Sequence, residues 1–196
     1  MSLKEKIDET IRSLIANFTK YPDKYLTESD VRCFLFNKLM LNNEFSELRD
    51  TSDGSKSTSV HTEVRWYGKF NKLKWRSDVV ILNVSTLKVK DGFFKLPSKG
   101  FGFNKPQAII EIKLRRINGD SDNAFIKKIQ EDIDKLNEIK EQVEGEYPCF
   151  LIIFDKKKDI QNSIQPSTKI KIFYKHSNFD TIAKKKRQMK NFNQKK

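Results

Sequence analysis

Residues 108–114 read AIIEIKL, an apolar strand pattern into which a glutamate and a lysine are set two positions apart. Alternate side chains of a strand share a face, so Glu111 and Lys113 must point the same way. Ionised side chains inside an apolar run are rare unless they pair, bind a metal or do chemistry. A second segment, SDVVIL at residues 77–82, repeats the pattern with Asp78 near its head. In a regular strand Asp78 shares a face with Val80 and Leu82, while Val79 and Ile81 face the other side. A third segment, YPCFLIIF at residues 147–154, is apolar throughout, as expected of a strand covered on both faces. Strands of this kind require helices packed on either side of the sheet.

Helical periodicity supplies those helices. Leu3, Ile7, Ile11, Leu14, Ile15 and Phe18 recur at three- and four-residue steps and predict a first helix, ended by Tyr21-Pro22-Asp23. Thr27 with Asp30 predicts the cap of a second helix over about residues 28–41. Phe125, Ile129, Ile133, Leu136, Ile139 and Val143 form a third stripe, capped by Ser121 or Asp122 and stopped by Gly145. The polar stretch 42–59 reads as a mobile loop. Strands are predicted over 60–67 and 75–84, joined by a basic turn at 68–74. Further strands are predicted over 107–114, 147–154 and 170–174, with an elaborated hairpin connection at 85–106 and a short helix at 160–164. The order α-α-β-β-β-α-β-(α)-β gives an α/β (α+β) class, a mixed central sheet flanked by helices. At 196 residues the expectation is one domain over residues 1–182 and a basic C-terminal tail over 183–196.

A net charge of +13 favours polyanionic partners, nucleic acid first and anionic membrane surfaces second. Cys33 and Cys149 sit in apolar stretches and read as buried hydrophobes in a reducing compartment. With two histidines and no CxxC or HxxxH spacing, a structural zinc site is not expected, and neither His61 nor His176 has a partner at ligand or triad spacing. No apolar run approaches the roughly 18 residues that cross a bilayer, so no membrane association and a cytoplasmic location are expected.

Each charged residue has a plain reading beside the chemical one. Asp78 suits a hydrogen-bonded strand end. Glu111 and Lys113 suit a buried ion pair, although such pairs add little net stability after desolvation. Two carboxylates brought to one place repel unless a proton or cation intervenes, and hard oxygen ligands suit Mg²⁺ or Mn²⁺.

Asp78, a hairpin connection, Glu111-Ile112-Lys113, a helix and another apolar strand together resemble the PD-(D/E)XK nuclease superfamily over about residues 28–154. Ser77 stands where the motif has its proline. The resemblance implies a restriction-endonuclease-like fold and a Mg²⁺- or Mn²⁺-dependent endonuclease, a phosphodiester hydrolase acting on DNA more than RNA, in restriction, defence or repair. It implies metal ligation by Asp78, Glu111 and the Ile112 carbonyl. Lys113 would orient and help deprotonate the attacking water and stabilise charge on the phosphate. Members often add a glutamate from the preceding helix, and Glu28 fits by position, in step with Val31, Leu35 and Leu39. Its plain reading is a first-turn acid favoured by the helix dipole, or an i,i+4 partner of Arg32. Glu63 is a reserve candidate whose plain reading is a pair with Arg65 or a lysine across the sheet. Gln130 and Asp132 are candidates to support the site from the following helix, and their plain and preferred reading is a solvated helix position. Many members act as homodimers.

The segment RWYGKFNKLKWR, residues 65–76, interleaves aromatic and basic groups just before Asp78. Arg65, Lys69, Lys72, Lys74 and Arg76 are the candidate phosphate contacts, and the interleaved aromatics can stack on unpaired bases; the plain reading is a hairpin whose aromatics pack inward and whose lysines are solvated. Residues 95–105 form a candidate second rim. Two rival readings stand beside the nuclease. One is a catalytically inactive nucleic-acid-binding protein with the same fold; the other is an RNA-associated basic protein with Glu111 on a solvated face.

Overall fold

The computed structural model describes residues 2–67, 73–88, 105–143 and 145–177. Lys69, Lys72, most of the candidate second rim and the basic tail lie outside them. Helix α1 (Leu3–Lys20) starts at Ser2, whose hydroxyl accepts the Glu5 amide while the Glu5 carboxylate accepts the Ser2 amide. Helix α2 (Glu28–Met40) has the reciprocal cap that Thr27 and Asp30 predict, with the Asp30 carboxylate also taking the Leu26 amide. These caps satisfy amides that have no partner within the helix.

The stretch expected as a mobile loop is instead structured. It holds a one-turn helix α3 (Asn43–Ser46) and a pair of two-residue strands, β1 (Arg49–Asp50) and β2 (Lys56–Ser57). Phe45 is buried in the core and Ser59 donates to its carbonyl, which pins a polar segment that looks featureless in sequence.

Five strands form the main sheet in the order β3 (Val60–Tyr67), β4 (Leu73–Leu82), β5 (Pro106–Arg115), β6 (Cys149–Asp155) and β7 (Ile170–His176). The first three are antiparallel, and β5, β6 and β7 are parallel. Helix α4 (Asp122–Gln142), capped by Ser121, is the crossover between β5 and β6. The protein is therefore a mixed α/β fold with a mixed five-stranded sheet flanked by helices. Residues 160–164 contribute a 3₁₀ turn (Gln161–Ser163).

Helices α1 and α2 cover one face, where Ile7, Leu14, Val31 and Leu35 pack on Val79, Ile110 and Ile152. Helix α4 covers the other, where Ile129, Ile133 and Leu136 pack on Val80, Ile109 and Ile153. Cys149 is buried as expected, whereas Cys33 is exposed on the outer side of α2, a correction to the sequence reading. Among the described residues no helix is long and apolar enough to cross a membrane.

Strands β3 and β4 do not keep simple alternation. Val60 and Val64 belong to opposite cores although four residues apart, and so do Trp75 and Val79. Thr62 pairs with Val79 and Val64 with Ser77, but between them Glu63 and Asp78 are not paired, and Glu63 has φ of 58°. A left-handed residue inside a strand turns the chain over, and a non-glycine side chain accepts that conformation only where its surroundings hold it. Both strands exchange faces at this point. The expectation that Asp78 shares a face with Val80 and Leu82 fails for that reason.

Candidate active site

The pairing of β4 with β5 runs only as far as Val79 opposite Ile110. Beyond it β5 continues for five residues with β6 on one side, and two carboxylates meet its other edge. The Ile112 amide donates to Asp78 Oδ2 at 2.8 Å, and the Leu114 amide donates to Glu28 Oε1 at 3.2 Å. Asp78 thus lies along the strand edge where a ladder carbonyl would otherwise be, and Glu28 reaches the same edge from the first turn of α2. A residue's carbonyl points to the same side of a strand as its amide, so the Ile112 carbonyl faces this edge between the two carboxylates.

Glu111 and Lys113 both face α4. Glu111 is 1% exposed, and its Oε2 lies 2.7 Å from Lys135 Nζ. Its Oε1 is buried with no hydrogen-bond partner. Asp132 holds two lysines, Lys135 at 3.0 Å through Oδ1 and Lys113 at 2.9 Å through Oδ2. On the α2 side, Arg32 binds Asp78 Oδ1 at 3.1 Å and also pairs with Glu63, which in turn meets Arg76 at 2.8 Å.

Glu28 and Asp78 therefore meet at the edge of β5 beside Ile112, while Glu111 and Lys113 lie on its α4 face with Asp132, and Glu63 is linked to Asp78 through Arg32. Gln130 joins neither group; its amide donates to Asp134 along α4. Lys135 and Arg32 were not among the candidates. Asp132 interrupts the apolar stripe between Ile129 and Leu136, and Lys135 lies one turn further on, which is the signal that points to both.

Burial raises the Glu111 carboxyl to about 8, with Asp78 and Asp132 adding to the rise and Lys135 only partly opposing it. Burial also raises Glu28, against the pull of Lys113 and the Leu114 amide. For Lys113, burial works to lower the pKa, but Asp132 and then Glu28 outweigh it, so the amine is raised and stays an ammonium at neutral pH. A base that stays protonated cannot take a proton from water.

Among the described residues no three His, Cys, Asp or Glu side chains converge closely enough to hold a metal ion by themselves. The candidate set differs from that pattern, because it pairs two carboxylates with a backbone carbonyl. Its donors are hard oxygens, Asp78 raises the Glu111 pKa through space, and Glu111 presents a buried oxygen with no partner. Hard oxygens of this kind are the donors that Mg²⁺ or Mn²⁺ takes. Beside them opens a cleft of about 670 Å³ at the C-terminal end of β5, lined by Glu28, Lys113, Asp132, Arg116 and Lys128.

Trp66 and Trp75 of the basic segment are not free to stack. Trp66 is fully buried and donates to Ser77 Oγ at 3.0 Å; Trp75 is 7% exposed and donates to Glu138 at 2.9 Å. Lys74 lies over the Trp75 ring and pairs with Glu138, and Arg76 is exposed beside Glu63. Ser77 has a structural job here, and a proline in its place would remove the acceptor. Ser77→Ala should leave a buried indole N–H unpaired and lower stability by about 1–3 kcal/mol. Urea unfolding measures this, and an unchanged midpoint would dismiss the bond as a contributor.

No protein-family model matches the chain, and no curated protein matches it in sequence. Among solved structures it is similar to P. aeruginosa ATCC27853 NucC in its cAAA-bound form, at 8% identity over 85% of this chain and 68% of that one, with a TM-score of 0.43.

Proposed function

We propose that the chain is a divalent-metal-dependent nuclease of PD-(D/E)XK type, hydrolysing phosphodiester bonds in DNA, with residues 1–182 as the nuclease domain and 183–196 as a basic tail. The observation that carries this reading is the meeting of Asp78, Glu28 and the Ile112 carbonyl at one strand edge, with Glu111 and Lys113 on the adjoining face. Asp78, Glu111 and the Ile112 carbonyl would hold Mg²⁺ or Mn²⁺, with Glu28 beside them. A bound cation there would lower the pKa of an attacking water and neutralise charge growing on the scissile phosphate. Lys113, kept as an ammonium by Asp132, would supply a second positive charge to the same phosphate. Arg116 and Lys128 on the cleft, with Arg65, Lys74 and Arg76 on the hairpin, would contact the backbone without reading sequence. DNA is the substrate that the family resemblance favours.

One observation favours a second reading, a non-catalytic nucleic-acid-binding protein on the same fold. Arg32 and Lys135 already pair with Asp78 and Glu111, so each carboxyl group has a cationic partner without a metal. Cleavage of supercoiled, linear and single-stranded DNA, with RNA alongside, separates the two. The nuclease reading expects cleavage with Mg²⁺ or Mn²⁺ that stops in excess EDTA. Robust cleavage in EDTA would refute the mechanism, and binding without cleavage on every substrate would favour the second reading.

A further inference from the structure

Lys135 is held more completely than a solvated helix lysine has reason to be. Its ammonium has three donors. Three acceptors surround it: Glu111 Oε2 at 2.7 Å, Asp132 Oδ1 at 3.0 Å and the Arg76 carbonyl at 3.3 Å. These acceptors lie on β5, α4 and β4. The lysine therefore ties together the helix and both strands that carry Asp78 and Glu111.

The two oxygens of Glu111 are treated differently. Oε2 is taken by Lys135, and Oε1 is buried with no hydrogen-bond partner. A buried carboxylate oxygen without a partner carries a desolvation penalty that a cation would relieve. With Oε2 held by Lys135, Oε1 is the oxygen left without a partner. Carboxylates that ligate metals are themselves oriented by hydrogen bonds from neighbouring groups, and losing such a partner typically weakens binding about 10–100-fold.

We infer that Lys135 is a positioning residue, which holds Glu111 through Oε2 so that Oε1 is the oxygen offered to a divalent cation. The inference rests on the nuclease reading for the metal and extends it by a residue outside the ExK strand. Lys135 does not compete with the metal; it stays on Oε2 when the cation binds. The opposite arrangement, a place-holding ammonium that the cation must displace, makes a contrary prediction.

Calorimetric titration of the full chain with Mn²⁺, without nucleic acid, decides between them. Lys135→Met should weaken Mn²⁺ binding by roughly 10–100-fold. Lys135→Arg, which can still donate to Glu111, should recover most of that loss. Thermal unfolding in EDTA checks that both variants are folded, and the rise in Tm on adding Mn²⁺ should shrink in Lys135→Met and return in Lys135→Arg. Equal or tighter binding by Lys135→Met overturns the assignment of Lys135 while leaving the metal site standing. If the wild-type chain shows no Mn²⁺ binding, the metal-dependent reading falls and this inference with it. Should Lys135→Met fail to fold, Lys135→Gln takes its place with the same expected loss and the same overturning result.

Discussion

Glu111→Gln is expected to lose metal-dependent cleavage almost completely and yet to be the more stable protein at alkaline pH. The loss follows from chemistry. An amide is a poor ligand for a hard cation, and forfeiting several kcal/mol of metal-derived charge stabilisation corresponds to a fall in rate of roughly a thousandfold or more. The gain follows from burial. Glu111 is 1% exposed and its carboxyl is raised from 4.5 to about 8, chiefly by desolvation. A carboxyl raised on folding binds more protons in the folded state than in the unfolded state between those two values. Stability then falls as pH rises through that window. The ionised side chain costs the folded protein at most about 5 kcal/mol above pH 8.

Glutamine keeps the shape, and its carbonyl can still accept from Lys135. In EDTA, Glu111→Gln should therefore unfold several degrees above wild type at pH 9, with the difference closing towards pH 4.5. Adding Mn²⁺ should raise the wild-type Tm and leave the variant unmoved. Activity close to wild type, or a variant less stable than wild type at pH 9, would contradict the account. Paired with intact nucleic-acid binding, the predicted outcome assigns Glu111 to chemistry at the expense of stability, a common arrangement at functional sites.

How far the site could be read in advance depends on where each residue sits. Glu111 and Lys113 were legible because a charge inside an isoleucine run breaks a strong pattern. Glu28 was legible because it falls in step with Val31, Leu35 and Leu39 on one helix face. The direction of Asp78 was not, because alternation assumes an unbroken strand and Glu63 breaks it with a left-handed backbone that no glycine announces. Lys135 was hidden for another reason. A lysine on a helix reads as solvent-facing unless the residue one turn before it, here Asp132, is recognised as buried. The tryptophans misled in the opposite sense. Basic neighbours make them look like stacking surfaces, whereas Trp66 and Trp75 belong to the α4 core, with their N–H groups satisfied by Ser77 and Glu138.

A second network escaped the sequence entirely, and its disruption is expected to cost several kcal/mol of stability. Arg115 reads as the start of a polar connection, yet it is the last residue of β5 and its side chain is fully buried. It stands in register with Asp155, the last residue of β6, and grips it through Nε at 3.0 Å and Nη2 at 2.5 Å. Its other donors meet Asp122 at 2.6 Å and the Lys158 carbonyl at 3.1 Å, and its guanidinium lies 4.9 Å from the centre of the Phe125 ring. Asp155 also accepts from Tyr174 and from the Lys157 amide.

A parallel pair of strands ends here, two residues beyond Lys113, and the connection to α4 leaves from the same point. Arg115→Met would leave the Asp155 carboxylate buried with its bidentate partner gone. Removing one member of such a pair typically costs about 3–5 kcal/mol, far more than the pair contributes when intact. Arg115→Met is therefore expected to unfold at a denaturant midpoint well below wild type. Changing both ends together, Arg115→Met with Asp155→Leu, should recover much of the loss, because no charge is then stranded. A single variant as stable as wild type would contradict this. A double variant no better than the single would show that geometry, rather than the stranded charge, dominates. Because β5 carries Glu111 and Lys113 just upstream, the single variant should also weaken Mn²⁺ binding, and the double should restore it in step with stability.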